Sequence, residues 1–206
     1  MPFLLRVQLP DVPGSLGRVA TAIGEAGGDI EAIEIVEHRA DGTAVDDVLL
    51  ELAPGHMPDS IVSACTELDG VRVLWISRYA AGGNLFLDLE AVEELTAHPA
   101  QALDRLIDLL PATFRADWGV RLHRNADGTT AVLHRSTAAP EDLPWHDLER
   151  ADRIKSDDHN TVLAAAPLQD SEIVVIGRRG GPEILDSEIA RLGHLTALAL
   201  SINRSV

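Results

Sequence analysis

The sequence predicts an α+β protein built from two units in tandem, and three observations support that prediction. Apolar residues alternate with period two in short runs in both halves of the chain, which is typical of half-buried strands. Other segments repeat apolar residues every three or four positions, as on one face of a helix. A stretch of small residues, Ala80-Ala81-Gly82-Gly83, indicates a linker between the halves. We therefore assign residues 1–80 to a first unit, 81–87 to a linker and 88–206 to a second unit.

The first unit contains four predicted strands and two predicted helices. The predicted strands are Phe3–Leu9, Ile30–His38, Val48–Leu52 and a fourth that runs from Val71 to near Tyr79. The helices follow Ser15 and Asp59, the expected N-caps. A slip in the apolar spacing between Ile30 and Ile33 predicts a β-bulge at the start of the second strand. The order strand, helix, strand, strand, helix, strand is the βαββαβ pattern of a ferredoxin-like sandwich.

The turn between the first strand and the first helix is the segment best suited to hold a small polar ligand. It reads Asp11-Val12-Pro13-Gly14. Proline fixes φ and glycine permits almost any φ, so the chain can fold tightly just before the helix begins. The N–H groups of Gly14, Ser15 and Leu16 then lie at a helix N-terminus, where the helix dipole favours a carboxylate.

The second unit begins with helical sequence over Leu87–Leu110, interrupted at Pro99. Four strands and a final helix follow. The predicted strands are Trp118–Arg124, Thr130–Ser136, Thr161–Leu168 and Glu172–Arg178. The sequence Asn125-Ala126-Asp127-Gly128 joins the first two strands and predicts a hairpin turn. Asp186 is the expected N-cap of the last helix. Within the polar segment 136–160 we expect one short helix, around Trp145–Ile154.

The composition argues against several classes of function. The chain has 33 acidic and 17 basic residues, a net charge of -16, and no dense run of Lys or Arg. Nucleic acid and anionic membrane surfaces are therefore not expected partners, because both draw affinity from clustered cations. No signal peptide or run of about 20 apolar residues is present, and Cys65 is the single cysteine. We expect a cytoplasmic protein without disulfides.

Residues suited to catalysis or metal binding are sparse. Ser15 and Ser187 lie at expected helix caps, and Cys65 lies on an apolar helix face. His123 and His134 can face each other across the predicted hairpin, an arrangement that suits either a solvated pair or a metal. The solvated pair is favoured, since no carboxylate or thiol joins them at ligand spacing. We expect no catalytic residue, metal or cofactor, and an enzyme would need a metal at these two histidines.

The first unit resembles the ACT domains, a family of small ligand-sensing modules. The resemblance is carried by Asp11-Val12-Pro13-Gly14-Ser15-Leu16 with Val19 and Ile23, followed by Gly28-Asp29-Ile30. It covers residues 2–79. It implies a ferredoxin-like sandwich that pairs with a second copy and binds an amino acid or related metabolite between the first turn of one copy and the second strand of its neighbour.

That resemblance implies nine ligand-binding residues: Asp11, Val12, Pro13, Gly14, Ser15, Leu16, Gly28, Asp29 and Ile30. Asp29 stands where many ACT domains carry Asn. A carboxylate accepts hydrogen bonds and donates none, so Asp29 favours the ammonium end of a ligand. Asp11 suits the same group.

The second unit is similar to GAF domains. The similarity rests on the hairpin over 118–136, the run Ile173-Val174-Val175-Ile176-Gly177-Arg178, the turn Gly180-Gly181-Pro182 and the long final helix. It implies a mixed antiparallel sheet with helices. Many GAF domains bind small molecules and others only dimerise, and both remain open here.

Together the two resemblances imply a non-catalytic regulatory sensor. A homodimer would bind an amino acid at the ACT interface, and the GAF-like unit would relay binding to a downstream protein that the sequence does not identify. The alternative is an adaptor that oligomerises and contacts a regulated enzyme without binding a ligand.

Overall fold

The computed structural model describes residues 2–78 and 83–205, and for 83–85 it describes the backbone alone. The chain divides into two compact units, Met1–Ala81 and Gly82–Val206. Each unit contains one antiparallel sheet together with helices, which confirms the predicted α+β class. No helix in the described residues has both the length and the hydropathy needed to cross a lipid bilayer.

The first unit has the predicted βαββαβ order. Its elements are β1 (Pro2–Pro10), α1 (Ser15–Glu25), β2 (Gly28–His38), β3 (Thr43–Leu52), α2 (Pro58–Thr66) and β4 (Arg72–Arg78). The strands lie in the order β2-β3-β1-β4. Both helices contribute to one apolar core with the sheet, in which Val19 and Ile23 of α1 and Cys65 of α2 meet Val7 and Val48. This arrangement is the ferredoxin-like sandwich.

The predicted bulge at the start of β2 is present. The register between β2 and β3 shifts between Ile30 and Ala32, and a second shift, which the sequence did not indicate, lies between Ile35 and Glu37. Two shifts in one edge strand explain why its apolar residues do not follow a single alternation.

Asp46 and Asp47 are neighbours in β3 and lie on opposite faces of the sheet, as adjacent strand residues do. Asp47 meets Arg6, with Arg6 Nε 2.7 Å from Asp47 Oδ1 and Arg6 Nη2 2.9 Å from Asp47 Oδ2. Both side chains are only 2 % exposed. Asp46 instead shares the helix-packed face with Val48, and its partner on β1 is the core residue Val7.

Over its described residues, 83–205, the second unit contains a five-stranded sheet and three α-helices. Its elements are α3 (Gly83–Ala97), a 3-10 turn (Pro99–Gln101), α4 (Ala102–Phe114), β5 (Trp118–Arg124), β6 (Thr130–Arg135), β7 (Asp152–Ile154), β8 (Thr161–Gln169), β9 (Glu172–Arg179) and α5 (Asp186–Asn203). The strands lie in the order β6-β5-β9-β8-β7. One face of the sheet packs against α4 and α5, and the other against residues of the 139–154 segment.

The residues predicted as a linker, 81–87, overlap a helix. Because α3 begins at Gly83, residues 83–87 are helical, whereas 81 and 82 lie outside the described residues. The domain boundaries at residues 80 and 87 therefore stay predictions.

The helix expected around Trp145–Ile154 is absent, and a short strand, β7, occupies the end of that stretch. Leu143, Trp145 and Leu148 pack individually against the sheet. Two prolines precede this stretch, at 140 and 144. They favour extended backbone before them, so the apolar residues reach the sheet from an extended segment rather than from a helix face.

One buried arginine connects three segments of the second unit. Arg178, on β9, donates from Nη2 to the carbonyl oxygen of Phe114 and to Glu188 Oε1, each at 2.7 Å. Glu188 Oε2 in turn accepts the backbone N–H of Leu185 at 2.8 Å. Leu185 is therefore the N-cap of α5, and the expectation that Asp186 holds that position is wrong by one residue.

We predict that Arg6→Met lowers the free energy of unfolding by about 3–5 kcal/mol, because it leaves the Asp47 carboxylate buried without its guanidinium partner. Urea unfolding followed by circular dichroism measures the loss. Arg72→Met is the matched control, since Arg72 is an exposed arginine of the same sheet that donates to Gln8. The control should cost at most about 1 kcal/mol. Equal losses of unfolding free energy in the two variants would contradict the claim that the buried Arg6–Asp47 pair contributes more stability than the exposed Arg72–Gln8 contact.

Candidate functional site

The turn over Asp11–Gly14 has the tight geometry that its sequence predicts. Gly14 is the N-cap of α1 and has φ 91° and ψ -13°, in the left-handed region. Open space surrounds its Cα, because a Cβ built there meets nothing within 4 Å. Glycine is therefore required by the backbone conformation and not by crowding. Ser15 is the first helical residue, so the expectation that it caps the helix is wrong by one position.

Backbone hydrogen bonds fix this turn to the neighbouring hairpin. The Asp11 N–H donates to the Gly42 carbonyl at 2.9 Å, and the Val12 N–H donates to the Pro10 carbonyl at 2.9 Å. The Ser15 N–H donates to the Val12 carbonyl at 3.2 Å. Ser15 is thus one expected anion-binding donor that the turn itself uses.

Other donors at the start of α1 remain available. Within the described chain, the N–H groups of Gly14, Leu16 and Gly17 have no backbone or side-chain acceptor. They lie at the positive end of the helix dipole, where a carboxylate is stabilised. Gly14 and Gly17 are exposed and Leu16 is half-buried, so a small anion can approach from solvent.

Asp11 makes a contact that the sequence did not indicate. Its Oδ2 lies 2.8 Å from His38 Nδ1, and both side chains are about half exposed, at 47 % and 62 %. His38 is the last residue of β2. Only the pairing of β2 with β3 brings it beside the turn, so no local sequence signal could have identified it.

The remaining predicted site residues, Gly28, Asp29 and Ile30, lie at the opposite end of the sheet. Asp29 is exposed and pairs with Glu51 of β3, whereas the turn adjoins Thr43 at the other end of that strand. Eight residue-to-residue steps of extended strand lead from Thr43 to Glu51, a distance of about 27 Å. The chain therefore does not bring the two groups of predicted residues together, and a site that joins them needs a second copy.

Two buried oxygen atoms near the turn lack hydrogen-bond partners in the described structure: Asp46 Oδ1 and Ser15 Oγ. Their residues are 2 % and 3 % exposed. Burial raises the pKa of the Asp46 carboxyl, the nearby Asp11 and Asp47 carboxylates raise it further, and His38 opposes them. In the sequence, Asp46 is one of two adjacent acids, and the alternation of apolar residues in this strand did not indicate that it is buried.

A separate cavity of about 360 Å³ lies in the second unit, between the sheet and residues 140–158. Trp118 and Leu163 provide apolar lining, and Lys155 and Arg179 provide cations. Lys155 is the only lysine in the chain. The cavity also includes Asp158, whose pKa is lowered by hydrogen bonds from Asn160 and Thr161.

The histidines considered as a metal pair do not face each other. His134 lies opposite Arg121, and His123 lies opposite Ala131. His134 Nε2 instead lies 3.0 Å from Asp108 Oδ1. Among the described residues, no three His, Cys, Asp or Glu side chains are grouped so as to hold a metal ion.

Cys65 lies fully buried in the core of the first unit, on the apolar face of α2. Burial raises the pKa of its thiol to about 11. The protonated thiol acts as a small apolar side chain, which suits packing rather than nucleophilic chemistry.

We predict that the stability cost of Asp46 depends on pH. The pKa of the Asp46 carboxyl in the folded state lies above its unfolded-state value near 3.8. At any pH between these two pKa values, the folded state therefore binds more protons than the unfolded state. The free energy of unfolding contributed by this group then falls as pH rises through that window. Asp46→Asn should therefore gain stability relative to the parent at pH 7, and the gain should shrink as pH approaches 3.8.

Urea unfolding of both proteins between pH 4 and 7 measures this difference, and Asp69→Asn, at an exposed turn of the same unit, is the control. A difference between Asp46→Asn and the parent that does not change with pH would contradict the raised pKa.

One curated protein is similar to part of the chain. Over 74 residues the chain is 35 % identical to NAD-dependent malic enzyme 1 of Bacillus subtilis (strain 168), a match that covers 35 % of this chain and 17 % of that enzyme. The chain thus spans about a sixth of the length of this curated relative.

Two solved structures similar to the chain are GAF domains. One, from a Pseudomonas syringae pv. tomato protein described as a sensor histidine kinase, has a TM-score of 0.45 and 15 % identity over 59 % of this chain and 86 % of its own. The other, from an Acinetobacter phosphoenolpyruvate-protein phosphotransferase, has a TM-score of 0.46 and 9 % identity over 61 % of this chain and 95 % of its own. In the first unit, residues 3–55 match the family model of the ACT domain, which confirms the resemblance found at the first turn and helix.

Proposed function

We propose that the protein is a regulatory sensor, and that two copies of its ACT domain bind an amino acid or related metabolite between them. The observation that carries the proposal is the start of α1, where the N–H groups of Gly14 and Leu16 have no acceptor in the described chain. These donors lie within the segment that matches the ACT family model. They suit the α-carboxylate of a ligand.

The second copy would complete the site with the start of its β2. Asp29 presents an exposed carboxylate there, and Gly28 and Ile30 flank it. β2 is an edge strand of the sheet, and it carries two exposed apolar side chains, Ile33 and Ile35. Such an edge favours association with a second chain, so we propose a homodimer.

Regulation would follow from the position of the ligand. A molecule that contacts two chains binds the paired arrangement better than separate chains, and it therefore shifts the population toward that arrangement. In this proposal the second unit relays the shift to a downstream protein, and the reducing cytoplasm is the compartment suited to the single buried cysteine. The protein acts without catalysing a reaction.

We predict that at least one amino acid raises the thermal stability of the full chain. A ligand at 100 times its Kd adds about 2.7 kcal/mol to the free energy of unfolding, a shift that is easily detected by differential scanning fluorimetry. A panel of the common amino acids and their oxo and hydroxy acid analogues provides the test. The proposal is wrong if every compound leaves the transition unchanged at millimolar concentration.

The dimer offers an independent test. Ile35→Lys should weaken both self-association and ligand binding at least tenfold, because it places a charge on the apolar edge of β2. Met57→Lys is the matched control, since Met57 is another exposed apolar residue of the same unit. Sedimentation equilibrium measures association. Equal behaviour of the two variants would contradict an interface along β2.

The alternative adaptor function predicts a different pattern in the same experiments. The protein would form a dimer, respond to no metabolite in the panel, and copurify with a specific enzyme. That combination would replace the sensor proposal.

A second candidate function is ligand binding by the cavity of the second unit. Its volume of about 360 Å³ falls in the range of about 300–1,000 Å³ typical of small-molecule sites. Lys155 and Arg179 beside Trp118 suit a small carboxylate with an apolar body. A ligand of this cavity should lose affinity in Lys155→Gln and retain it in Ile35→Lys, whereas a ligand of the ACT site should show the reverse.

A further inference from the structure

The proposed ACT site contains a carboxylate that the sequence did not identify. Asp46 lies three residue pairs from the end of β1, since Val7 pairs with Asp46 and Pro10 pairs with Thr43. Asp29 pairs with Glu51, at the far end of the same strand. In a single chain, Asp46 is therefore the acid closer along β3 to the donors of Gly14 and Leu16.

The fold places Asp46 on the side of the sheet that α1 covers. It shares its face with Val48, which packs in the core against α1. α1 begins directly after the turn that follows β1 and ends near Gly27, whose carbonyl accepts the Ala53 N–H at the opposite end of β3. Asp46 thus lies toward the N-terminal end of α1.

Asp46 and Ser15 have unused hydrogen-bonding capacity at this end of the helix. Asp46 Oδ1 and Ser15 Oγ are both buried and without partners in the described structure. Leaving a buried polar atom without a hydrogen-bond partner costs free energy, because the atom has lost its bonds to water. A ligand ammonium that donates to these oxygens would remove that cost, whereas a group with no proton to donate would not.

The charged groups around Asp46 come from three elements. Asp11 from the turn and His38 from the end of β2 both act on its carboxyl, and they bind each other at 2.8 Å. Asp47, its neighbour on β3, is directed to Arg6 on the opposite face. Asp46 is therefore left with no cationic side chain bonded to it in the described chain, and a ligand ammonium would supply that charge.

Apolar surface lies beside Asp46 on the edge strand. Ile35 pairs with Asp46 across β2 and β3 and is 51 % exposed, and Ile33 pairs with Val48 and is 36 % exposed. Directly paired residues share one face of a sheet. An aliphatic group next to the ammonium of a ligand would cover these two side chains.

We propose that Asp46, assisted by the Ser15 hydroxyl, recognises the α-ammonium of the ligand, and that Ile33 and Ile35 contact its side chain. The ligand class is then an α-amino acid with an aliphatic side chain, whose carboxylate binds the free N–H groups of Gly14 and Leu16. This assignment rests on the proposed function and adds to it the residues that determine specificity.

The test uses calorimetric titration of the full chain with leucine, isoleucine and valine, with the 2-hydroxy acid analogue of each, and with serine and asparagine as polar amino acids. The parent protein should bind at least one amino acid tenfold or more tightly than its hydroxy acid. Asp46→Asn should lose at least tenfold in affinity for the amino acid and little for the hydroxy acid, because only the ammonium contact changes. Asp69→Asn is the control outside the site.

Each outcome decides a separate question. If Asp46→Asn keeps the parent preference, or if Asp29→Asn loses it instead, this inference is overturned and the sensor proposal stands. Binding of polar amino acids alone would overturn the aliphatic class. Binding of no amino acid by the parent protein would overturn this inference, and the sensor proposal falls with it only if the oxo and hydroxy acid analogues also fail to bind. Neither measurement depends on how any variant folds.

Discussion

The left-handed backbone of Gly14 is the constraint on which the first unit depends. It lets the chain leave β1, turn within four residues and enter α1 over the same sheet. A residue with a side chain pays about 1–2 kcal/mol to adopt left-handed backbone, and glycine avoids this strain because it has no Cβ. The same geometry leaves the N–H groups of Gly14, Leu16 and Gly17 without an acceptor in the described chain. In our proposal, the turn that reverses the chain therefore also provides the N–H groups that bind a carboxylate.

Two adjacent aspartates of β3 differ in how their buried carboxylates are bonded. Asp47 is buried with Arg6 in a two-pronged ion pair, and both of its oxygens are used. Asp46, one residue earlier, is equally buried on the other face and keeps an oxygen without a partner in the described chain. The Arg6–Asp47 pair joins β1 to β3 at directly paired positions. The unpaired oxygen of Asp46 instead carries an energetic cost, which a bound ligand would relieve in our proposal.

Local patterns in the sequence were sufficient to predict most of the secondary structure. Alternation located the strands, including the hairpin of β5 and β6, and the slip after Ile30 located a bulge. The caps at Gly14 and Leu185 were missed by one residue, because serine and aspartate satisfy the same rule at the next position. The segment before β7 was misassigned because prolines and isolated apolar residues give no period to detect.

The site could be predicted only where its residues are contiguous. The turn from Asp11 to Leu16 is visible in the sequence, but His38 and Asp46 join it through strand pairing, which no local pattern reports. Burial of Asp46 likewise depends on the helix that covers its face. Sequence reasoning therefore identified the proposed donors for a carboxylate and two acids suited to an ammonium, Asp11 and Asp29, but it missed the buried Asp46.

Amide hydrogen exchange of the full chain, with and without the amino acid that binds best, tests the central claim most directly. The account predicts slower exchange at Gly14, Leu16 and Gly17 and at residues 28–30 when the ligand is bound, since a carboxylate would occupy the free N–H groups and a second chain would cover the start of β2. Saturating ligand that leaves all of these amides unchanged would contradict it.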